Sequence, residues 1–163
     1  MLQSLHIENI AVIKLVDLEF SDGFMVISGE TGAGKSIIID SINLVLGAKA
    51  DKELIRHGES SATVSALFTE LSENTARQCE ELGITLDGEK SILVQRTLGI
   101  DGRSGVKING RAVSLSILKQ IAPGLVNIHG QSDSGALADP EKHIDIVDVY
   151  ASSQSLLDRK SVV

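Results

Sequence analysis

Gly29-Glu30-Thr31-Gly32-Ala33-Gly34-Lys35-Ser36 is the stretch that decides how this chain folds. It is a complete G-x-x-x-x-G-K-[ST] loop, and each fixed position answers a physical need. Glycines let the backbone turn tightly and approach phosphate oxygens, successive N–H groups converge on those oxygens, and the N-terminus of a following helix adds partial positive charge. All eight residues are therefore candidate contacts to a nucleoside triphosphate. Lys35 is expected to reach the β- and γ-phosphates, and the Ser36 hydroxyl to hold Mg²⁺.

The flanking sequence supplies the order this loop requires. Residues 24–28, Phe-Met-Val-Ile-Ser, predict a short buried strand before the loop. Residues 37–46 predict a helix after it, ended by Gly47. Upstream, residues 2–9 and 12–20 read as strands, the second closed by Ser21-Asp22-Gly23. Downstream, residues 62–68 alternate as a strand, and 72–82 read as a helix with Ser72 as N-cap and Gly83 as its stop. Residues 92–98 and 106–110 read as further strands, the latter closed by the turn signal Asn109-Gly110. Ser114 caps a helix through Ile121, residues 125–129 predict a central strand, and Asp139-Pro140 opens a last helix to Tyr150. The expected class is α/β with α+β character: a P-loop NTPase lobe with a mixed sheet and an antiparallel β subdomain.

Composition bounds the chemistry. With 163 residues, 42% hydrophobic and 23% charged, the chain suits one globular domain with a true core. Aromatic residues are only 2% and Trp is absent, so the core must be built from Ile, Leu, Val and Ala, and base-stacking surfaces are scarce. The net charge of −7 argues against a surface that grips nucleic acid everywhere, while leaving room for a local basic patch. Cys79 is the single cysteine, which excludes an intramolecular disulfide and fits packing on a helix in a reducing compartment. The first residues lack a secretory signal pattern, and no apolar run approaches the roughly 18 residues needed to cross a bilayer. A cytoplasmic location is expected.

A second phosphate-side element is missing. P-loop enzymes supply an acidic residue at the end of a second strand to hold Mg²⁺ or orient the attacking water. Here residues 125–128 run instead into His129-Gly130-Gln131, and no Leu-Ser-Gly-Gly sequence occurs anywhere. His129 reads as a strand-end packing residue.

Several separate segments together resemble one family. They are Leu5-His6-Ile7-Glu8-Asn9-Ile10-Ala11-Val12-Ile13, the loop itself, Leu46-Gly47-Ala48-Lys49-Ala50-Asp51 with Leu54-Ile55-Arg56-His57-Gly58, Ile108-Asn109-Gly110-Arg111, and Ile128-His129-Gly130-Gln131. In order and spacing the chain is similar to the N-terminal head segment of the RecN family of bacterial DNA repair proteins, relatives of the structural-maintenance-of-chromosomes (SMC) ATPases. The resemblance implies an ABC-type ATPase head in which Gln131 is the Q-loop glutamine, a catalytic residue contacting Mg²⁺ and the attacking water. It also places Arg56 near bound nucleotide and Asn9 where the adenine-side contacts begin. An exposed loop arginine and a turn-capping asparagine explain those two residues as well. Arg103, Lys107 and Arg111 on the 92–111 hairpin read either as a DNA-facing patch or as solvated charges.

The family continues into a long coiled coil and returns with the signature motif, the Walker B acid and the switch histidine, none of which occurs here. Residues 1–150 are therefore expected to form the N-terminal lobe of the head, with 151–163 beginning the coiled-coil arm or a disordered tail. The implied cofactors are ATP and Mg²⁺. The implied partners are the C-terminal lobe of the same protein, a second head, and DNA for the full-length protein. Alone, the chain is expected to hydrolyse ATP very slowly or not at all. Two other readings are a self-contained small-molecule P-loop kinase, disfavoured by the β-rich first thirty residues, and a nucleotide-regulated interaction module, disfavoured by the intact Gly34-Lys35-Ser36.

Overall fold

The computed structural model describes residues 1–28, 34–126 and 128. The chain divides into two compact units, Met1–Val126 and Asn127–Val163, and of the second only Ile128 is described. Six strands form one sheet: β1 (Leu2–Ile10), β2 (Ile13–Glu19), β3 (Ser61–Phe68), β4 (Ile92–Gly99), β5 (Ser104–Ile108) and β6 (Arg111–Ala112). Their order is β2-β1-β3-β4-β5-β6, and every pairing is antiparallel.

Alternation in the sequence sets which face is covered. In β3 every second residue, Ala62, Val64, Ala66 and Phe68, is buried, and the register carries that face into Leu5 and Ile7 of β1 and Val94 of β4. A one-residue slip would turn all of these to solvent, so burial itself enforces the register. The opposite face carries Ser4, His6, Glu8, Thr63, Ser65, Gln95 and Thr97, with His6 paired to Asp17 across the strands at 2.6 Å.

Among the described residues three helices supply apolar cover: α1 (Gly34–Val45), α2 (Glu73–Glu81) and α3 (Leu115–Ile121). α1 buries Ile42, Leu44 and Val45, and its buried Ser41 hydroxyl donates to the Ile37 carbonyl at 2.7 Å. α2 buries Ala76 and Cys79, and α3 buries Leu118 and Ile121. The caps are those the sequence predicts, since the Ser72 hydroxyl accepts from the Thr75 N–H and the Ser114 hydroxyl from the Ile117 N–H. Gly47 ends α1 with φ +102° and Gly83 follows α2 with φ +74°, a region that favours glycine.

Asn109 and Gly110 form the β5–β6 turn with φ +48° and +79°. The Asn109 side chain does more than turn the chain. Its oxygen accepts from the Leu93 N–H at 2.8 Å and its amide donates to the Thr85 carbonyl at 2.9 Å, tying the hairpin to the start of β4 and to the segment after α2.

Three expectations are corrected. Residues 24–28 were expected as a buried strand, but they pair with no strand of the sheet, and Phe24 is 94% exposed. Apolar content does not make a strand without a neighbouring ladder to satisfy its N–H and C=O groups. Of residues 125–129, also expected as a strand, Leu125, Val126 and Ile128 carry none, and residues 127 and 129 lie outside the described residues. The expected mixed sheet is accordingly antiparallel throughout among the described residues. The helix expected over 139–150 lies outside them.

Candidate functional site

α1 positions the part of the phosphate loop that is described. Gly34 begins the helix, Lys35 is half-buried and Ser36 is exposed in the same first turn. No acidic residue lies in that turn, so the partial positive charge of the helix end is not offset there by a side chain of the helix itself. The other end of α1 is fixed by Leu44 and Val45 in the core and by Gly47 against α3, where a Cβ would meet Lys119 Cγ at 3.0 Å. The first turn is thus presented by a helix anchored through its last turns. Gly29, Glu30, Thr31, Gly32 and Ala33 lie outside the described residues, as does Gln131.

Asn9 and Arg56 are brought together, 47 positions apart in sequence. Asn9 ends β1 with φ +56°, and Ala11 follows with φ +47°. The segment after the 3-10 turn Lys52–Leu54 runs alongside: Ile10 bridges Ile55, the Ala11 N–H donates to the Leu54 carbonyl at 2.8 Å, and the Arg56 N–H donates to the Asn9 carbonyl at 2.9 Å. The Arg56 side chain then folds over the β1–β2 turn, its Nη1 donating to the Val12 carbonyl at 2.5 Å. Both residues shape one turn, and a guanidinium with five N–H donors retains capacity for a further acceptor.

The hairpin charges Arg103, Lys107 and Arg111 are all exposed. Arg103 pairs with Asp101 at 3.3 Å across the β4–β5 turn. One cation that the sequence did not single out is Arg96, buried on the core face of β4. Its signal was the alternation Ile92, Val94, Arg96, Leu98, which puts a charge where the pattern calls for an apolar side chain. Cys79 is buried, and burial raises its thiol pKa, as suits a packing role. Among the described residues no cluster of three or more His, Cys, Asp or Glu is arranged to hold a metal, and no helix is long and apolar enough to cross a membrane.

A one-faced sheet covered by helices, with Gly-Lys-Ser opening the helix that packs on it, defines an SMC head-like P-loop ATPase domain. The family model for the AAA domain matches residues 4–155, and the chain belongs to that family. Within it the chain is similar to DNA repair protein RecN: 37% identical over 155 residues to that of Bacillus subtilis and 42% over 157 residues to that of Vibrio cholerae. These alignments cover 94% and 96% of this chain but only 27% and 28% of the two relatives. Among solved structures, one from a study of ATP-driven dimerization and DNA stimulated activation of SMC ATPases superposes with a TM-score of 0.64 at 26% identity, covering 90% of this chain and 97% of that one.

Proposed function

We propose that this chain is the ATP-binding half of an SMC-like ATPase head acting in DNA double-strand-break repair and recombination. The observation that carries the reading is Gly34-Lys35-Ser36 opening a 12-residue helix whose far end is locked into the core, with Gly29 to Ala33 completing the phosphate motif in sequence. Such a helix start holds anionic oxygens without rearrangement. The repair role rests on the RecN relatives.

In this reading residues 29–36 cradle the phosphates, Lys35 neutralises charge at the γ-phosphate, and Asn9 and Arg56 lie beside the nucleotide on their shared turn. Mg²⁺ fits the donors available. The exposed Ser36 hydroxyl is a hard oxygen ligand next to Lys35, and Gln131 offers an amide oxygen. When bound, the ion neutralises the β- and γ-oxygens.

The site is one side of a catalytic centre. Phe24, Met25, Val26 and Ile27 are all exposed immediately before the phosphate loop, a placement that suits a strand completed by another lobe. The C-terminal lobe of the same protein would provide that cover together with the acidic group this sequence lacks. A second head would close over the γ-phosphate, and DNA would engage the full-length protein. Residues 1–150 then form the lobe and 151–163 begin the arm or tail, in a cytoplasmic, nucleoid-associated protein.

A nucleotide titration tests the reading. Mg²⁺-ATP is expected to bind the wild-type chain at least tenfold more tightly than Lys35→Ala, the loss of one charge-assisted phosphate contact being of order 1.5–3 kcal/mol. Equal affinity in both would remove the ATP-binding reading.

A further inference from the structure

The turn that joins β1 to β2 is built against the preference of its own residues. Ile10 pairs with Ile13, so Ala11 and Val12 form the turn, and Ala11 opens it with φ +47°. The first position of a two-residue hairpin turn with positive φ favours glycine, because a Cβ crowds the backbone in the left-handed region. Asn9, just before the buried Ile10, is left-handed too, with φ +56°. Asparagine tolerates that conformation, whereas alanine keeps it only where its surroundings hold it there.

Three ties from one neighbouring segment supply that hold. The Ala11 N–H donates to the Leu54 carbonyl at 2.8 Å, the Arg56 N–H donates to the Asn9 carbonyl at 2.9 Å, and Arg56 Nη1 donates to the Val12 carbonyl at 2.5 Å. A longer contact of 3.5 Å joins the same Nη1 to the Ala11 carbonyl. Both carbonyls of the turn therefore converge on one guanidinium. Arg56 is itself fixed at its root, since its carbonyl accepts from the Glu59 N–H at 3.0 Å and the preceding Ile55 is buried and bridges Ile10. Among the described residues none of the ion pairs involves Arg56, so no carboxylate there draws the guanidinium away from the turn.

We propose that Arg56 is a positioning residue: its guanidinium clasps the Ala11 and Val12 carbonyls, holds Ala11 left-handed, and so fixes the nucleoside side of the ATP site. This rests on the ATP-binding reading above, in which the turn lies beside the nucleotide. A guanidinium engaged with two backbone carbonyls acts on ATP through the turn, whereas one aimed at phosphate acts on the phosphate chain directly. Val12, 63% exposed at the tip, is the apolar surface that the clasp sets in place.

The test uses the 163-residue chain and two probes, Mg²⁺-ATP and Mg²⁺-tripolyphosphate, the second keeping the phosphates and lacking the nucleoside. Arg56→Ala is expected to weaken ATP about three- to tenfold, as the loss of one exposed hydrogen bond does, and to leave tripolyphosphate unchanged. Adding Ala11→Gly to Arg56→Ala is expected to restore most of the ATP affinity, because glycine takes up the positive φ without being held. In the nucleotide-free chain, hydrogen exchange of the Ala11 amide is expected to be at least about tenfold faster in Arg56→Ala. Equal losses for ATP and tripolyphosphate would make Arg56 a phosphate contact and overturn the proposal. An ATP affinity that Arg56→Ala leaves intact, or a loss that Ala11→Gly does not repair, would overturn it as well. Unchanged Ala11 exchange would remove the clasp even where ATP affinity falls. Equal ATP binding by wild type and Lys35→Ala would overturn the ATP-binding reading and the nucleoside-side role with it, while the exchange result separately decides the clasp.

Discussion

Strand β3 and residues 24–28 are both short apolar runs, and they end in opposite states. In β3, Phe68 is fully buried and every residue has a neighbour in β1 or β4. In 24–28, Phe24 is 94% exposed and no strand lies alongside among the described residues. The difference lies in the neighbours each run has, because β-structure is stabilised by cross-strand pairs and burial rather than by an intrinsic preference of the residues. The same contrast divides α1, whose last turns are buried while Gly34 and Ser36 in its first turn are exposed. Among the described residues, the sheet and the last turns of α1 are packed, while the first turn of α1 and residues 24–28 are exposed.

The strongest way to break that comparison is to truncate both phenylalanines. Phe68→Ala is expected to lower stability by about 3–5 kcal/mol, and Phe24→Ala to change it by no more than about 0.5 kcal/mol. Urea denaturation of the two variants measures both, and losses of similar size would contradict the division into packed and exposed parts. Gly47→Ala probes the anchored end of α1. Its φ of +102° and the 3.0 Å approach of Lys119 Cγ predict a cost of about 1–2 kcal/mol, seen as a lower urea midpoint at unchanged slope.

A smaller effect depends on pH. The Asp87 carboxylate accepts from the Ser91 N–H at 2.8 Å, from the Ser91 hydroxyl and from the Glu89 N–H at 3.2 Å, and the Ser91 bonds in particular hold its pKa below the ordinary value. A carboxyl depressed in the folded state contributes stability above its unfolded pKa and loses it as pH falls through the folded pKa. Asp87→Asn is therefore expected to be slightly less stable than wild type at neutral pH and to converge with it in acid, as thermal melts across that range would register. A gap that stays constant would assign the effect to something other than ionisation.

What the sequence revealed was local. The alternation of residues 62–68, the Ser72 and Ser114 caps and the Asn109-Gly110 turn depend on near neighbours, and the structure keeps all of them. What it concealed depends on partners distant in the chain. Residues 24–28 read as a strand because apolar content cannot report whether a neighbour is present. For Arg96 the alternation of β4 marks a core-face position, but that β3 and β5 close over it on both sides shows only in the structure. Of the candidate site, the loop motif and the helix behind it were legible, but the joining of Asn9 to Arg56 rests on the Ile10–Ile55 bridge and could not be read from either segment alone.

The central claim is that this chain carries half of an ATPase site, and complementation measures it most directly. Mg²⁺-dependent ATP hydrolysis is followed for the chain alone, for a folded C-terminal lobe alone and for the mixture. The account predicts turnover that appears on mixing and disappears with Lys35→Ala. A mixture no faster than its parts, or a chain that alone matches the mixture, would contradict it.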